Sequence, residues 1–475
     1  MSSTFSVLNT AASALAAQQR AVDVTGQNIA NVNTDGYSRQ RVDMQSIGGN
    51  IQPAIWSISS QVGQGVDADQ VIRIRDAFLE AQAQSEHSKV ASLTEQNDAL
   101  GQIEQGFQEP SSTGIQSQLT DMWSGWSDIA NAPTDPGARA QLLQRTQTLV
   151  AGMHSVSGSL DEQWSNSRDN LQAVLSDVNA SAKSIADLNQ AIKRANQIGQ
   201  PSNELQDKRD ALILHLSDSV GASSTQMGDG TLTVRIGGIT LVSGNSPLQL
   251  ALTGANSASG VSTSPPSIVT VPGGTPVAVG GKADGQMATL TSIIPRYLSQ
   301  LDAIAQQLAT QVNAGHMAGY DVNGNPGEPM FDDGSGTLPV DPTTITAANL
   351  NLRITDPSKV AAASLSPTAT GGSASADNNN ADAMYQQRLD GAGVDSVYRK
   401  MIVAMGVESA AATSNLGTQT VVTSQVDSSR DSVAGVSIDE EMTNMLQFQH
   451  GYSAAGRLVS TINSMLDDLM NMVGR

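Results

Sequence analysis

The last stretch of the chain, Ser437 to Val473, carries apolar residues at alternating steps of three and four: Met445, Phe448, Tyr452, Ala455, Val459, Ile462, Leu466, Leu469 and Val473. Such a run predicts one long helix whose stripe must be covered by a partner helix. Ser437 and Glu440 stand in capping-box spacing, and Asp439 and Glu441 add negative charge where the helix dipole favours it, so the helix start is well defined. A matching stripe lies at the other end of the chain. Within residues 3 to 31, Leu8, Leu15, Val22 and Ile29 recur at intervals of seven, and Ala12 adds a small contact between them. Ala11, Ala14, Ala16 and Ala17 supply helix propensity without bulk. This second stripe is the weaker, because Gln19 and Gly26 take its other seam position. Burial of the two stripes against each other offsets only part of the entropy of ordering roughly sixty residues. Both ends are therefore expected to be mobile in the free monomer and to order on assembly.

Between these ends the pattern is mostly helical. Of the 475 residues, 39% are hydrophobic and 3% aromatic, which predicts thin helical cores rather than one aromatic-rich mass. Residues 42 to 75 alternate weakly, through Ile51, Ile55, Ile58 and Val62 and then Val71, Ile72 and Ile74, and read as an extended linker with short strands. From Ala77 to about Val220 the pattern is helical: a long polar-rich helix runs through Glu86 to Gln105, and another over Ser111 to Ala130 contains Trp123 and Trp126 as core anchors. Arg139 to about Ile198 is a long helical region with Leu142, Leu149, Val156, Leu160, Trp164, Leu171, Leu175, Val178, Ile185, Leu188 and Ile192. A shorter helix carries Leu205, Leu212, Ile213 and Leu216. From Gly221 to Gly285 the composition turns to Gly, Ser, Thr and Pro, and two short apolar runs meet across Gly237-Gly238 as a hairpin. Helix returns from Met287, or from Pro295, through Gln311, and a further long helix spans Asp390 to about Ser432. The expected fold is mainly α with a β insertion. Residues 1–60 and 435–475 form a terminal coiled-coil domain, and residues 61–220 and 286–434 a long-helix bundle with a loop-and-strand segment over 320–380. Residues 221–285 form a small β-rich outer domain.

Composition excludes several classes of function. A net charge of −20 argues against nucleic acid or an anionic membrane as partner. With no cysteine, a thiolate metal site or cysteine nucleophile is impossible. Arg20 is the first positive side chain and no long apolar run follows, so neither an ordinary secretory signal nor a membrane span is expected. Asp321-Val322-Asn323-Gly324-Asn325 imitates the opening of a calcium loop, but Pro326 stands where the turn needs glycine and Asp332 where a bidentate Glu belongs, so an Asn/Gly turn is expected. His87, His154, His215, His316 and His450 are scattered without metal-ligand spacing. Glu440 and Glu441 point about 100° apart on a helix and cannot flank one bond, so helix-start electrostatics is the better reading of both. No catalytic constellation, metal site or cofactor site is expected.

The run Val24-Thr25-Gly26-Gln27-Asn28-Ile29-Ala30-Asn31-Val32-Asn33-Thr34-Asp35-Gly36-Tyr37 resembles the N-terminal motif of the axial proteins of the bacterial flagellum. Tyr37-Ser38-Arg39-Gln40 is similar to the hook-associated protein 1 family in particular. So are Gly435 to Met442, Phe448-Gln449 and Met465 to Leu469 at the far end, and Val312 to Asp321 and Asp377 to Ala381 in the middle. The resemblance implies an extracellular structural subunit at the junction of hook and filament, exported without a cleaved signal peptide. It implies partners in other copies of the chain (a ring or helical zone), hook protein, hook-associated protein 3 and a cytoplasmic export chaperone on the C-terminal segment. Hook protein or hook-associated protein 3 itself is the nearest alternative identity, and a secreted coiled-coil adhesin a more distant one. The assembly interface is expected at Leu8, Leu15, Val22, Ile29, Asn28, Asn31, Asn33, Gly36, Tyr37, Met445, Phe448, Tyr452, Val459, Ile462, Leu466, Leu469 and Val473.

Overall fold

The computed structural model describes residues 2–47, 65–366 and 376–473; the expected strand positions Ile51, Ile55, Ile58 and Val62 lie outside them. The chain divides into two compact units. One comprises Met1–Lys89, Val178–Gln249 and Gln419–Arg475; the other comprises Val90–Asp177 and Leu250–Thr418.

In chain order the first unit begins with α1 (Ser2–Ala30) and the antiparallel pair β1 (Gln40–Ile47) and β2 (Gly65–Arg73), in register Gln40 to Arg73. It takes in the start of α2 (Ala77–Phe107), the end of α4 (Pro136–Gln197) and all of α5 (Asn203–Val220). Then comes a four-stranded antiparallel sheet: β3 (Ser223–Gln226), β4 (Leu232–Ile236), β5 (Ile239–Ser243) and β6 (Ser246–Pro247). Leu232, Val234 and Ile236 alternate inward along β4, and Gly237 and Gly238 both hold positive φ, as the tight hairpin between β4 and β5 requires. Asn189 on α4 anchors the sheet from within. Its amide donates to the carbonyls of Leu232 (2.8 Å) and Gly244 (2.9 Å), and its oxygen accepts from Leu232 N–H and from the buried Arg209.

In the second unit, α3 (Ile115–Asn131) and the α4 residues Leu142, Leu149, Leu160, Trp164 and Leu171 bury a core with α7 (Ile294–Met317). Trp123, Trp126 and Trp164 are fully buried. The indole N–H of Trp164 donates to the Leu290 carbonyl (2.9 Å), and that of Trp123 to Asp395 (2.6 Å) at the start of α9 (Val394–Ala434). The long helical region read along residues 139 to 198 is one helix of 62 residues, α4. A single π-turn over Thr289–Ile293 joins α6 (Gly281–Ala288) to α7.

Within the β insertion expected over residues 221–285 the strands pair in two separate sheets. The first unit's sheet ends at β6, where Pro247 has no N–H to continue a ladder. β7 (Gln249–Thr253) pairs instead with β8 (Ser267–Val271), and α6 already begins at Gly281. Two further two-residue strands, β9 (Phe331–Asp332) and β10 (Asn351–Leu352), pair within the loop segment of the second unit, and α8 (Asn379–Gln386) follows. The chain closes with α10 (Ile438–Val473), in the first unit.

Candidate functional site

Two contacts fix how the terminal helices meet. Asn28 of α1 reaches Glu441 of α10 at 2.9 Å, and a side chain on Gly451 would strike Gln18 of α1 at 2.8 Å. Ten residues back along α1 correspond to ten residues on along α10, so the pair is antiparallel. On its other side α1 carries β2. Ser13 Oγ accepts from Val66 N–H (3.2 Å), and a Cβ at Gly65 would collide with Ser13, so only glycine allows that approach. The close approach on both flanks explains which residues of α1 are buried. Ala11, Ala17, Ala21, Val24, Thr25 and Asn28 form the covered face, while Leu8, Leu15, Val22 and Ile29 are only half-buried and Ala12 is exposed.

At the closed end of the pair, the turn after α1 returns as β1 and clamps the start of α10. Asn28 uses its full hydrogen-bonding capacity there. Its amide nitrogen donates to the Gln40 carbonyl (2.8 Å) and to Glu441 Oε2, and its oxygen accepts from Tyr37 OH (2.9 Å) and Gln40 N–H (3.0 Å). The other oxygen of Glu441, a nearly fully buried residue, accepts from Arg39 Nε at 2.7 Å, and Glu440 takes Arg39 NH1 at 2.8 Å. Arg39 N–H also donates to the carbonyl of Ala434, the last residue of α9. The two glutamates therefore do more than favour the helix start: with Arg39 they tie the N-terminal turn to α10. Burial, with Asp207, Glu441 and Glu204 nearby, pushes the Tyr37 phenol up to about 12, so it stays a donor. Gly36 holds φ at +78° in the preceding turn, the left-handed region that favours glycine.

A second ionic cluster fastens the same hairpin to α5. Arg73 donates to Asp207, Asp210 and Gln206, each at 2.8 Å; Arg75 pairs with Asp210 and Glu80. Asn203 donates to the Gln40 side chain and to the Val71 carbonyl. Apart from Arg75 and Glu80, these partners lie well over a hundred residues apart in sequence, and nothing in local spacing points to them.

Of the expected interface residues, Asn28 and Tyr37 enter the clasp directly. Asn31 is half-buried and bonds within its own turn to Gln27 and Thr34, whereas Asn33 and Gly36 are exposed. Ile462 is 1% exposed; Met445, Phe448, Val459 and Leu466 are half-buried. Tyr452 departs from its expected place on the covered seam and is 43% exposed, because Gly451 takes the position against α1. The side chains of Leu469 and Val473 lie outside the described residues. The seam reading missed a further apolar face of α10, on which Ile438, Met442 and Leu446 follow one another at steps of four, and Leu458 and Met465 on the opposite flank of the seam; each of the five is between 43% and 56% exposed.

In the second unit the Val312 to Asp321 motif orders a loop. Asn313 donates to the Phe331 carbonyl and accepts from Met330 and Phe331 N–H, all at 2.8 Å. Ala361 N–H donates to His316 Nε2 (2.9 Å), so the ring proton sits on Nδ1 and is donated to the Glu328 carbonyl (2.6 Å). Both oxygens of Asp321 are taken by Asn323 and Asn325 of its own loop, a turn rather than an ion cage. Burial lowers the His316 value to about 4, against an ordinary value near 6.5. The folded state thus favours the neutral ring. Its stabilisation is whole above pH 6.5 and is lost as the pH falls toward 4, by about 3 kcal/mol in all. Urea unfolding of the wild type at pH 7, 5.5 and 4 should show this loss, and His316→Gln should show a shallower one.

Family models for the flagellar basal-body rod protein and for the flagellar basal-body rod FlgEFG protein C-terminal match residues 8–37 and 428–472, the two segments that meet in the clasp. The model of the flagellar hook-associated protein FlgK helical domain matches residues 100–331. The chain is 30% identical to flagellar hook-associated protein 1 of Bacillus subtilis, over 100% of this chain and 99% of that one. It is 24% identical to flagellar hook-associated protein 1 of Escherichia coli, over 98% of this chain and 100% of that one. Its fold is like that of the flagellar hook junction protein FlgK from Burkholderia pseudomallei, with a TM-score of 0.63 at 17% identity, covering 76% of this chain and 100% of that one. Full-length similarity, the two terminal matches and the shared fold converge: the chain belongs to the flagellar hook-associated protein 1 family.

Proposed function

We propose that this chain is a structural subunit of the bacterial flagellum, forming the junction between hook and filament and assembled through α1 and α10. The family is structural and not an enzyme family. The observation that carries the reading is the terminal pair itself. The two rod-type segments close on each other through Asn28, Arg39 and Glu441 and still leave an apolar face of α10 open to solvent. A long helix with apolar residues on a second side is suited to burial among further helices. Other copies of the chain cover that face in a ring or helical zone. Hook protein and hook-associated protein 3 adjoin the zone on its two sides, and a cytoplasmic chaperone holds the C-terminal segment before export without a cleaved signal. Among the described residues no helix is long and apolar enough to cross a membrane, which accords with a place in the extracellular part of the flagellum. Deletion of the gene should leave hooks intact while filament subunits leak into the medium. Normal filaments on the deleted strain would overturn the proposal.

A further inference from the structure

His87 on α2 has a carboxylate at each ring nitrogen. Nδ1 lies 3.0 Å from Asp218 Oδ1 on α5, and Nε2 lies 3.2 and 3.1 Å from the two oxygens of Asp427 on α9. All three residues belong to the first unit. A neutral imidazole has a single N–H, so it would turn a lone pair toward one of these carboxylates at hydrogen-bonding distance. Only the imidazolium donates to both. The hydrogen bond to Asp218 accordingly raises the His87 value above its ordinary level against the opposing effect of partial burial, and Asp427 adds to the rise.

The charged neighbours sharpen the consequence. On α2, Glu86 is engaged by Lys89 (2.8 Å) and by Gln419 of α9 (2.6 Å). On α9, Arg430 lies one turn from Asp427, at 3.9 Å. When His87 loses a proton, one of the two carboxylates faces a lone pair: where Nδ1 keeps its hydrogen, Asp427 retains Arg430 within α9 but loses its own hydrogen bond to α2, and where Nε2 keeps it, the bond to Asp218 of α5 is the one lost. The affected turns of α9 end at Ala434, whose carbonyl holds Arg39, and α10 begins at Ile438.

We propose that His87, Asp218 and Asp427 form a proton-operated latch that ties the last turns of α9 to α2 and α5, closed while the imidazole carries both protons and opened by loss of one, so that the segment leading into α10 loosens in alkaline medium. The sign follows from linkage. A raised value in the folded state gives stabilisation that is whole below pH 6.5 and is lost as the pH climbs through the folded-state value above it. Amide hydrogen exchange of the full chain, corrected for the intrinsic pH dependence, tests this on peptides covering residues 419–434. Between pH 6 and pH 8.5, wild-type protection there should fall by about threefold or more. In Asp427→Asn a neutral ring is enough, since the amide can donate to Nε2, and protection should change by less than half as much. His87→Gln should likewise be nearly flat. Equal losses in the wild type and Asp427→Asn would overturn the latch, as would a His87 ring carbon resonance titrating at or below pH 6.5.

Discussion

Replacing Asn28 with alanine is expected to cost about 3 kcal/mol or more in the stability of the terminal pair and to abolish filament formation. Asn28 is 1% exposed, so its removal strands the Gln40 carbonyl and N–H and the Tyr37 hydroxyl, and takes one of the donors from the Glu441 carboxylate. Chemical unfolding followed by exchange of peptides from α1 and from the first turns of α10 should read the loss. Asn28→Asp should be worse still at neutral pH. It keeps the shape but sets a second carboxylate about 3 Å from that of Glu441, where both cannot ionise cheaply. Adding Glu441→Gln should recover part of the defect by restoring a donor between the two positions. An Asn28→Asp protein as stable as wild type would show that the buried amide is not what closes the pair.

The second large effect separates the two faces of α10. Ile462 is 1% exposed, and Ile462→Asp should weaken the free monomer by about 3 kcal/mol or more, since an unpaired charge would be buried there. Leu446 is 56% exposed, and Leu446→Asp should alter monomer stability by no more than about 0.5 kcal/mol while blocking filament assembly as completely. Paired measurements, unfolding of the purified chain and filament counts in a complemented deletion strain, distinguish a folding face from an assembly face. A Leu446→Asp strain with normal filaments would remove this face from the assembly surface.

The sequence exposes those parts of the molecule whose physics is periodic or local. The seam from Leu142 to Ile192 could be read as one helix because each turn repeats the same apolar demand, and the hairpin between β4 and β5 because Gly237-Gly238 suits the turn. What stayed hidden depends on contacts between distant segments. Glu441 reads as a helix-start charge until the fold brings Asn28 beside it across 413 positions. The seven-residue apolar repeat of α1 outshone its alanines, yet Ala11, Ala17 and Ala21 are the buried positions, because β2 and α10 come too close for larger side chains. The division of the β insertion into two sheets also stayed hidden, because composition does not reveal where pairing changes partner, and Pro247 is a small sign among many prolines and glycines.

The antiparallel pairing of α1 with α10 also sets an order of events. Any process that delivers the chain N-terminus first presents α1 long before its partner, which comprises 36 of the last residues to arrive. Until those residues emerge, Asn28 and Arg39 have no Glu441 to hold, and the half-buried apolar positions of α1 stay uncovered. Closing a loop of this length costs about 5 kcal/mol of entropy if the intervening chain is unfolded, and less once the units between have compacted. The terminal pair therefore works as a check: a chain that lacks α10, or that has not yet threaded through to it, cannot form the pair or its closed end.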